Sequence, residues 1–132
     1  MIRPTVGKLT VPFVVDATRT PIDFRQLDPE HVKRCAKHRR CGICGSRIDH
    51  GKPVAFIGPD DGRACYADPW MHPECADLAA QQCVFIRGRG WRELPDAAER
   101  ALLDPYRVMV VRIVQEARAH RERGVWHFEV VR

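Results

Sequence analysis

Residues 70–76 read WMHPECA and residues 41–45 read CGICG. Cys41 and Cys44 form a CxxC pair, and Gly45 directly after it permits the tight turn that lets two thiolates converge on one ion. His72 and Cys75 stand three apart, and the first turn of a helix brings positions three apart to one side. Pro73 suits an early helical position, while Glu74 and Asp77 sit near the positive end of the helix. Cys41, Cys44, His72 and Cys75 are therefore predicted to hold one structural Zn²⁺, because three thiolates and one imidazole complete a tetrahedron and leave no open position. Against this stand two blander readings, unliganded packing cysteines and a redox pair.

Outside these stretches, the chain has 132 residues, enough for one domain spanning 1–132, with the zinc core expected over about 41–86. A hydrophobic content of 45% with 30% charged residues is that of a folding domain rather than of a disordered segment. The N-terminal MIRPTVGKLTVPFVV has only a short apolar run broken by Pro12, which predicts neither a signal peptide nor a spanning helix. A cytoplasmic location away from membranes follows as the expectation, and in a reducing compartment clustered Cys and His more often hold metal than pair as disulfides. The formal charge of +5 permits attraction to nucleic acid or another acidic partner.

Local signals then order the elements. KLTVPFVVD (8–16) has the β-branched content of a strand, with Pro12 placing it at an edge or bulge. Asp28, Pro29 and Glu30 form a good N-cap, first position and first-turn acid for a helix from Pro29 to Lys37. PVAFIG (53–58) reads as a short buried strand, PDDG (59–62) as a turn and RACYAD (63–68) as the hairpin return. The helix begun at Pro73 should bury Cys75, Leu78, Ala79 and Gln82 or Cys83 on one face. RGRGWRELPD reads as a basic loop and PDAAERALL as a short helix. YRVMVVRIV (106–114) favours a strand, QEARAHRER beyond it a helix, and GVWHFEVVR a closing strand, so a C-terminal β-pair with a charged connection is expected.

A knuckle, then a hairpin, then a helix carrying two ligands in its first turn resembles the treble-clef zinc finger. Within that class, CGIC, SRI, GK and WMHPEC resemble the fingers of the poly(ADP-ribose) polymerase and LIM families, over about residues 41–83. That resemblance implies Cys41, Cys44, His72 and Cys75 as ligands and Trp70 as a packing residue beside them. A broader resemblance follows the order VPF, PIDFR, CGICG, AFIGP, DPWMHPECA and a later Cys. It points to a group of small phage and bacterial proteins with CWVCG, FxxGPMC, EPPSHxxCA and ACPFL segments. Here Cys65 is displaced beyond PDDG, and CVF stands in place of CPF. This second resemblance supports one domain with a metal site and implies no reaction.

Cys35 with His38, and Cys65, are additional metal-ligand candidates, although two separate tetrahedral ions need eight ligands or bridging sulfurs. Cys83 reads as a small buried apolar residue. Catalysis has little support. A zinc deaminase needs its Glu beside the ligand His ahead of the CxxC, whereas here CxxC precedes HPEC. His50 and His127 are the histidines outside the zinc set that a treble-clef nuclease would have to use, and each reads more simply as a solvated histidine. The basic segments are the remaining signal. Lys33, Arg34, Lys37, His38, Arg39 and Arg40 precede the knuckle, and Arg87 and Arg89 lead to Trp91. If Lys37, Arg39, Arg40, Arg87, Arg89 and Trp91 share a face, they offer phosphate contacts and an aromatic that can stack on a base; otherwise they are solvated surface.

The sequence thus predicts a single α+β domain: a treble-clef-like zinc core of β-hairpin plus helix, with a C-terminal β-pair. The expected function is a zinc-stabilised binding module, foremost for nucleic acid. A phage or bacterial protein-interaction or regulatory adaptor is the alternative. A zinc enzyme, the third option, requires an open coordination position.

Overall fold

Asp28 starts the first helix as its sequence signal requires. Its backbone is extended, its carboxylate accepts from the Glu30 amide at 3.0 Å, and Pro29 occupies the first position of α1 (Pro29–His38). Arg39 closes the helix in the left-handed region at φ 49°, and the Arg40 amide returns to the Cys35 carbonyl at 3.2 Å. This sharp exit aims the chain straight into CGICG. The computed structural model describes residues 5–6, 9–18, 26–59, 61–82 and 109–132.

Pro12 does more than mark an edge. Only β1 (Thr5–Val6) and β2 (Leu9–Thr10) pair, as a short antiparallel ladder, and beyond Pro12 the chain turns, with the Val15 amide donating to the Pro12 carbonyl at 3.1 Å. Of the expected strand over 8–16, only Leu9–Thr10 is laddered, and beyond the turn Val15 makes an isolated bridge to Leu27. The turn lies on the knuckle, since the Phe13 and Val14 amides donate to the carbonyls of Ile43 and Gly42 at 2.9 and 3.1 Å.

β3 (Val54–Pro59) is buried from Val54 to Gly58 and sits centrally. One edge pairs antiparallel with β5 (Met109–Val114), from Val54↔Val114 to Pro59↔Met109. The other edge meets Met71 through reciprocal bonds of Ala55 at 2.8 and 3.0 Å. β3 thus holds in place the residue just before His72.

The expected hairpin between 53–58 and 63–68 does not form. β4 (Cys65–Tyr66) is a strand, but it pairs with β7 (Val125–Val130), which in turn pairs with β6 (Ala117–Glu122). Stacking of Phe56 on Tyr66, with centroids 4.4 Å apart, joins β3 and β4 through side chains instead. The helical expectation over 115–123 is also overturned. ARAHRE is a strand whose Ala117 and Ala119 turn inward while Arg118 and Glu122 stay exposed, so alternation and pairing with β7 outweigh the helix preference of alanine and charged residues. The C-terminal β-pair exists, and its charged connection has become one of its strands. Arg123 and Gly124, both at positive φ, make the two-residue turn.

α2 (Pro73–Gln82) begins where predicted, and Cys75 and Ala79 pack partly buried against the core as expected, but over 73–80 the fully buried residue is Ala76 at 0% exposure, while Leu78 is 51% exposed. The small alanine lets the helix sit close against β3. Helices and antiparallel strands share one core, running from Cys35 and Cys41 through Val54, Phe56 and Trp70 to Phe128, which makes this an α+β fold.

Candidate metal centre

The knuckle delivers the first two thiols. Its rungs are the Cys41 amide to the Ser46 carbonyl at 2.8 Å and the Gly45 amide to the Cys41 carbonyl at 2.9 Å, with Gly45 at φ 72°, where a side chain would be strained. The helix start delivers the other two. His72 caps α2, its carbonyl accepting from the Ala76 amide at 2.9 Å, and Cys75 follows within the first turn. A single backbone bond, Gly42 amide to Trp70 carbonyl at 2.9 Å, ties the two pieces together.

The ligand atoms of Cys41, Cys44, His72 and Cys75 all lie within 4.8 Å of one another. The Cys44 and Cys75 sulfurs stand 3.3 and 3.9 Å from His72 Nδ1. Around a tetrahedral ion, bonds of about 2.3 Å to sulfur and 2.0 Å to nitrogen place neighbouring donors about 3.5–3.8 Å apart. The spacing fits one ion. The surrounding bonds fit it as well: His72 Nε2 faces the Arg47 carbonyl at 3.1 Å, which accepts its proton and leaves Nδ1 free as the donor.

The amides of Ile43 and His72 donate to Cys41 Sγ at 3.4 and 3.3 Å. Such bonds favour a thiolate. Burial nonetheless pushes the Cys41 thiol up, and with its thiol neighbours it pushes Cys75 up further. Burial also opposes the Cys44 thiolate, but the amide and hydroxyl of Ser46, with Cys41 and His72, outweigh it and hold that thiol at about 7. Three sulfurs packed this closely resist ionising together unless a cation is among them, and a bound metal supplies that charge. A Cys₃His cluster of this geometry can hold a metal ion.

Cys35 and Cys65 lie outside this group. Cys35 is fully buried in the core near the knuckle, its thiol pushed up to about 12 by burial and by Cys41. His38 is exposed at the end of α1, and Cys65 is exposed on β4 opposite Glu129. None of the three belongs to the four-residue group. Cys83, Arg87, Arg89 and Trp91 lie outside the described residues.

Beside the centre runs a cleft of about 950 Å³, between the end of α1, the knuckle and the termini of β5 and β6. Lys37, Arg39 and Arg40 line it, as the basic run before the knuckle suggested. Arg47 and Arg132 line it too, and the sequence reading passed over them. Arg47 had a signal available: knuckle geometry pairs the residue before the first cysteine with one just after the glycine, and Arg40 and Arg47 do form such a bridge. Arg132 had none, because its place depends on the fold of the last strands. Among the described residues one acid, Glu116, lines the cleft, bonded to Arg132 at 3.0 Å.

These cations are held differently. Arg40 Nη1 donates to the Gly45 carbonyl at 3.0 Å, so it also braces the knuckle. Arg39 lies 5.4 Å over the Trp70 ring and donates Nη2 to the Lys52 carbonyl at 3.3 Å. Lys37 and Arg47 are exposed. Trp70, the packing residue beside the ligands, is 3% exposed and meets Phe128 edge-on at 4.9 Å. Among the described residues no helix is long and apolar enough to cross a membrane. No family model, no curated protein and no solved structure matches the chain.

Proposed function

We propose that this chain is a small zinc-stabilised module that binds nucleic acid through the cleft beside its Cys₃His centre. Zinc is the ion this donor set suits best, since three thiolates and an imidazole in a tetrahedron select it over metals that favour oxygen ligands. With all four positions taken by protein, the ion's role is structural, and zinc catalysis is not part of the reading. The order of knuckle and ligand-bearing helix is the part of the treble-clef resemblance that supports this role.

The observation that carries the binding function is the cleft, where Lys37, Arg39, Arg40, Arg47 and Arg132 face a common space with Glu116 as the one acid among the described residues. Cations gathered in this way attract phosphates and release counterions on binding. The test is fluorescence anisotropy with a labelled oligonucleotide at rising salt. About three to five phosphate contacts predict an affinity loss of roughly 20- to 500-fold between 50 and 200 mM salt. Neutralising Lys37, Arg47 and Arg132 together should weaken binding at least about tenfold; affinity indifferent to both changes defeats the reading.

Exposed Ile113 on β5, at 54%, and Leu78 on α2 support a second reading, a protein-interaction adaptor using the apolar strand edge. In that case Ile113→Glu, rather than the cationic substitutions, abolishes partner capture after nuclease treatment.

A further inference from the structure

The shape of the cleft separates two kinds of nucleic acid. A duplex carries its phosphates on the outside of a stiff rod, and proteins reach its sequence by placing a projecting helix or ribbon in a groove roughly 12 Å wide. Here the cations line a concavity. Its volume of about 950 Å³ lies near the top of the roughly 300–1,000 Å³ typical of small-ligand sites. That is room for a few nucleotides of flexible strand, and none for a rod.

The walls and floor supply different chemistry. Exposed Lys37 and Arg47 stand at the rim, where long cationic side chains can follow a backbone. The floor is fixed: Trp70 is packed on Phe128, and the guanidinium of Arg39 lies over the indole. Arg39 Nε and Trp70 Nε1 are the buried side-chain donors without an acceptor among the described residues, and both residues line the cleft. These two N–H groups are closed off within the floor, so what Arg39 offers the cleft is its guanidinium, lying over the indole. Watson–Crick edges and base faces are free only in a single strand, whereas a duplex keeps them paired and stacked. Guanidinium planes are also surfaces on which unstacked bases are held.

We infer that the cleft takes an unpaired stretch of nucleic acid, a few nucleotides long, with the backbone at Lys37, Arg47 and Arg132 and bases turned toward the Arg39 guanidinium, and that a base-paired duplex is a poor ligand. The inference rests on the nucleic-acid reading above and specifies the strand form that this site takes.

The test compares a labelled oligo-dT of about ten nucleotides with a hairpin duplex of matched length, both titrated with the full metal-loaded chain at one salt concentration. The single strand should bind at least about tenfold more tightly. Arg47→Ala with Arg132→Ala should lower that affinity about tenfold while metal content and circular dichroism stay unchanged, which separates a lost contact from a lost fold. A hairpin bound as tightly as the single strand overturns the strand preference and leaves nucleic-acid binding standing. Single-strand binding untouched by the double substitution overturns the placement in this cleft. Binding of neither ligand defeats the nucleic-acid reading and this inference together.

Discussion

The stretch from Cys41 to Ala76 and the hairpin from Ala117 to Val130 meet at the edge-on contact between Trp70 and Phe128, yet they are held in contrasting ways. The hairpin is a continuous ladder, Ala117↔Val130 to Glu122↔Val125, closed by a tight turn and anchored by fully buried Phe128. The first stretch has one ladder of its own in β3, but the pieces that carry Cys41, Cys44, His72 and Cys75 are turns and a helix start, bridged by isolated bonds such as Gly42 to Trp70 and Ala55 to Met71. A ladder spreads its stabilisation over many pairs, and a metal site concentrates it in four atoms. Damage to the two should therefore look different.

The largest effect is expected from Cys41→Ser. It removes a buried ligand from a site whose counterparts in small zinc peptides contribute about 10–16 kcal/mol of apparent binding free energy. In this longer chain a loss on the order of 5 kcal/mol or more is expected, seen as loss of bound metal and a thermal midpoint lower by at least roughly 10 °C. Hydrogen exchange after chelation sharpens the contrast: amides of Ile43, Gly45 and His72 should lose protection before those of β6 and β7. Equal loss in both regions would erase the distinction.

Phe128→Ala strikes the other side. Emptying a fully buried aromatic site costs about 3–5 kcal/mol by chemical denaturation, and the protein should still bind metal stoichiometrically. Metal lost along with stability would mean that the two regions are one cooperative unit.

Alkaline pH probes the core between them. Cys35 ionises near 9.0 when unfolded and only at about 12 when folded. Its raised thiol stabilises the fold below pH 9, and that contribution is lost as pH rises from 9 toward 12. In the metal-free chain Cys35 should account for up to about 4 kcal/mol of loss over this window, beside the losses from the raised Cys41 and Cys75 thiols, and Cys35→Ala should reduce the total by that share. A denaturation midpoint that stays level from pH 8 to 11 contradicts the burial argument.

The smallest effect is at Gly45. A side chain at φ 72° costs about 1–2 kcal/mol, so Gly45→Ala should weaken metal retention against a chelator modestly while leaving the β6–β7 ladder intact.

The same division governs what could be read from the chain. Asp28-Pro29-Glu30, CGICG and HPEC are short-range signals whose physics is complete within a few residues, and each element they announce stands where expected. The ligand set was legible because both halves are local and only their meeting had to be assumed. The pairings were not legible. β3 finds its partner about fifty residues later in β5, and β4 passes over its neighbour for β7, because VAFIG, MVVRIV and VWHFEV are apolar strands that sequence pattern alone cannot assign to one another. ARAHRE misled through alanine and charge, whose helix preference yields to a ladder when a partner strand is present. The basic run before the knuckle was visible, but its division into Arg39 over Trp70, Arg40 on Gly45 and exposed Lys37 needed the fold.

X-ray absorption at the zinc edge on the purified chain, with metal content measured on the same sample, tests the centre most directly. One zinc per chain is expected, with three sulfurs at about 2.3 Å and one nitrogen at about 2.0 Å. A substoichiometric ion, or a shell containing oxygen in place of a sulfur, would contradict a closed site built from Cys41, Cys44, His72 and Cys75.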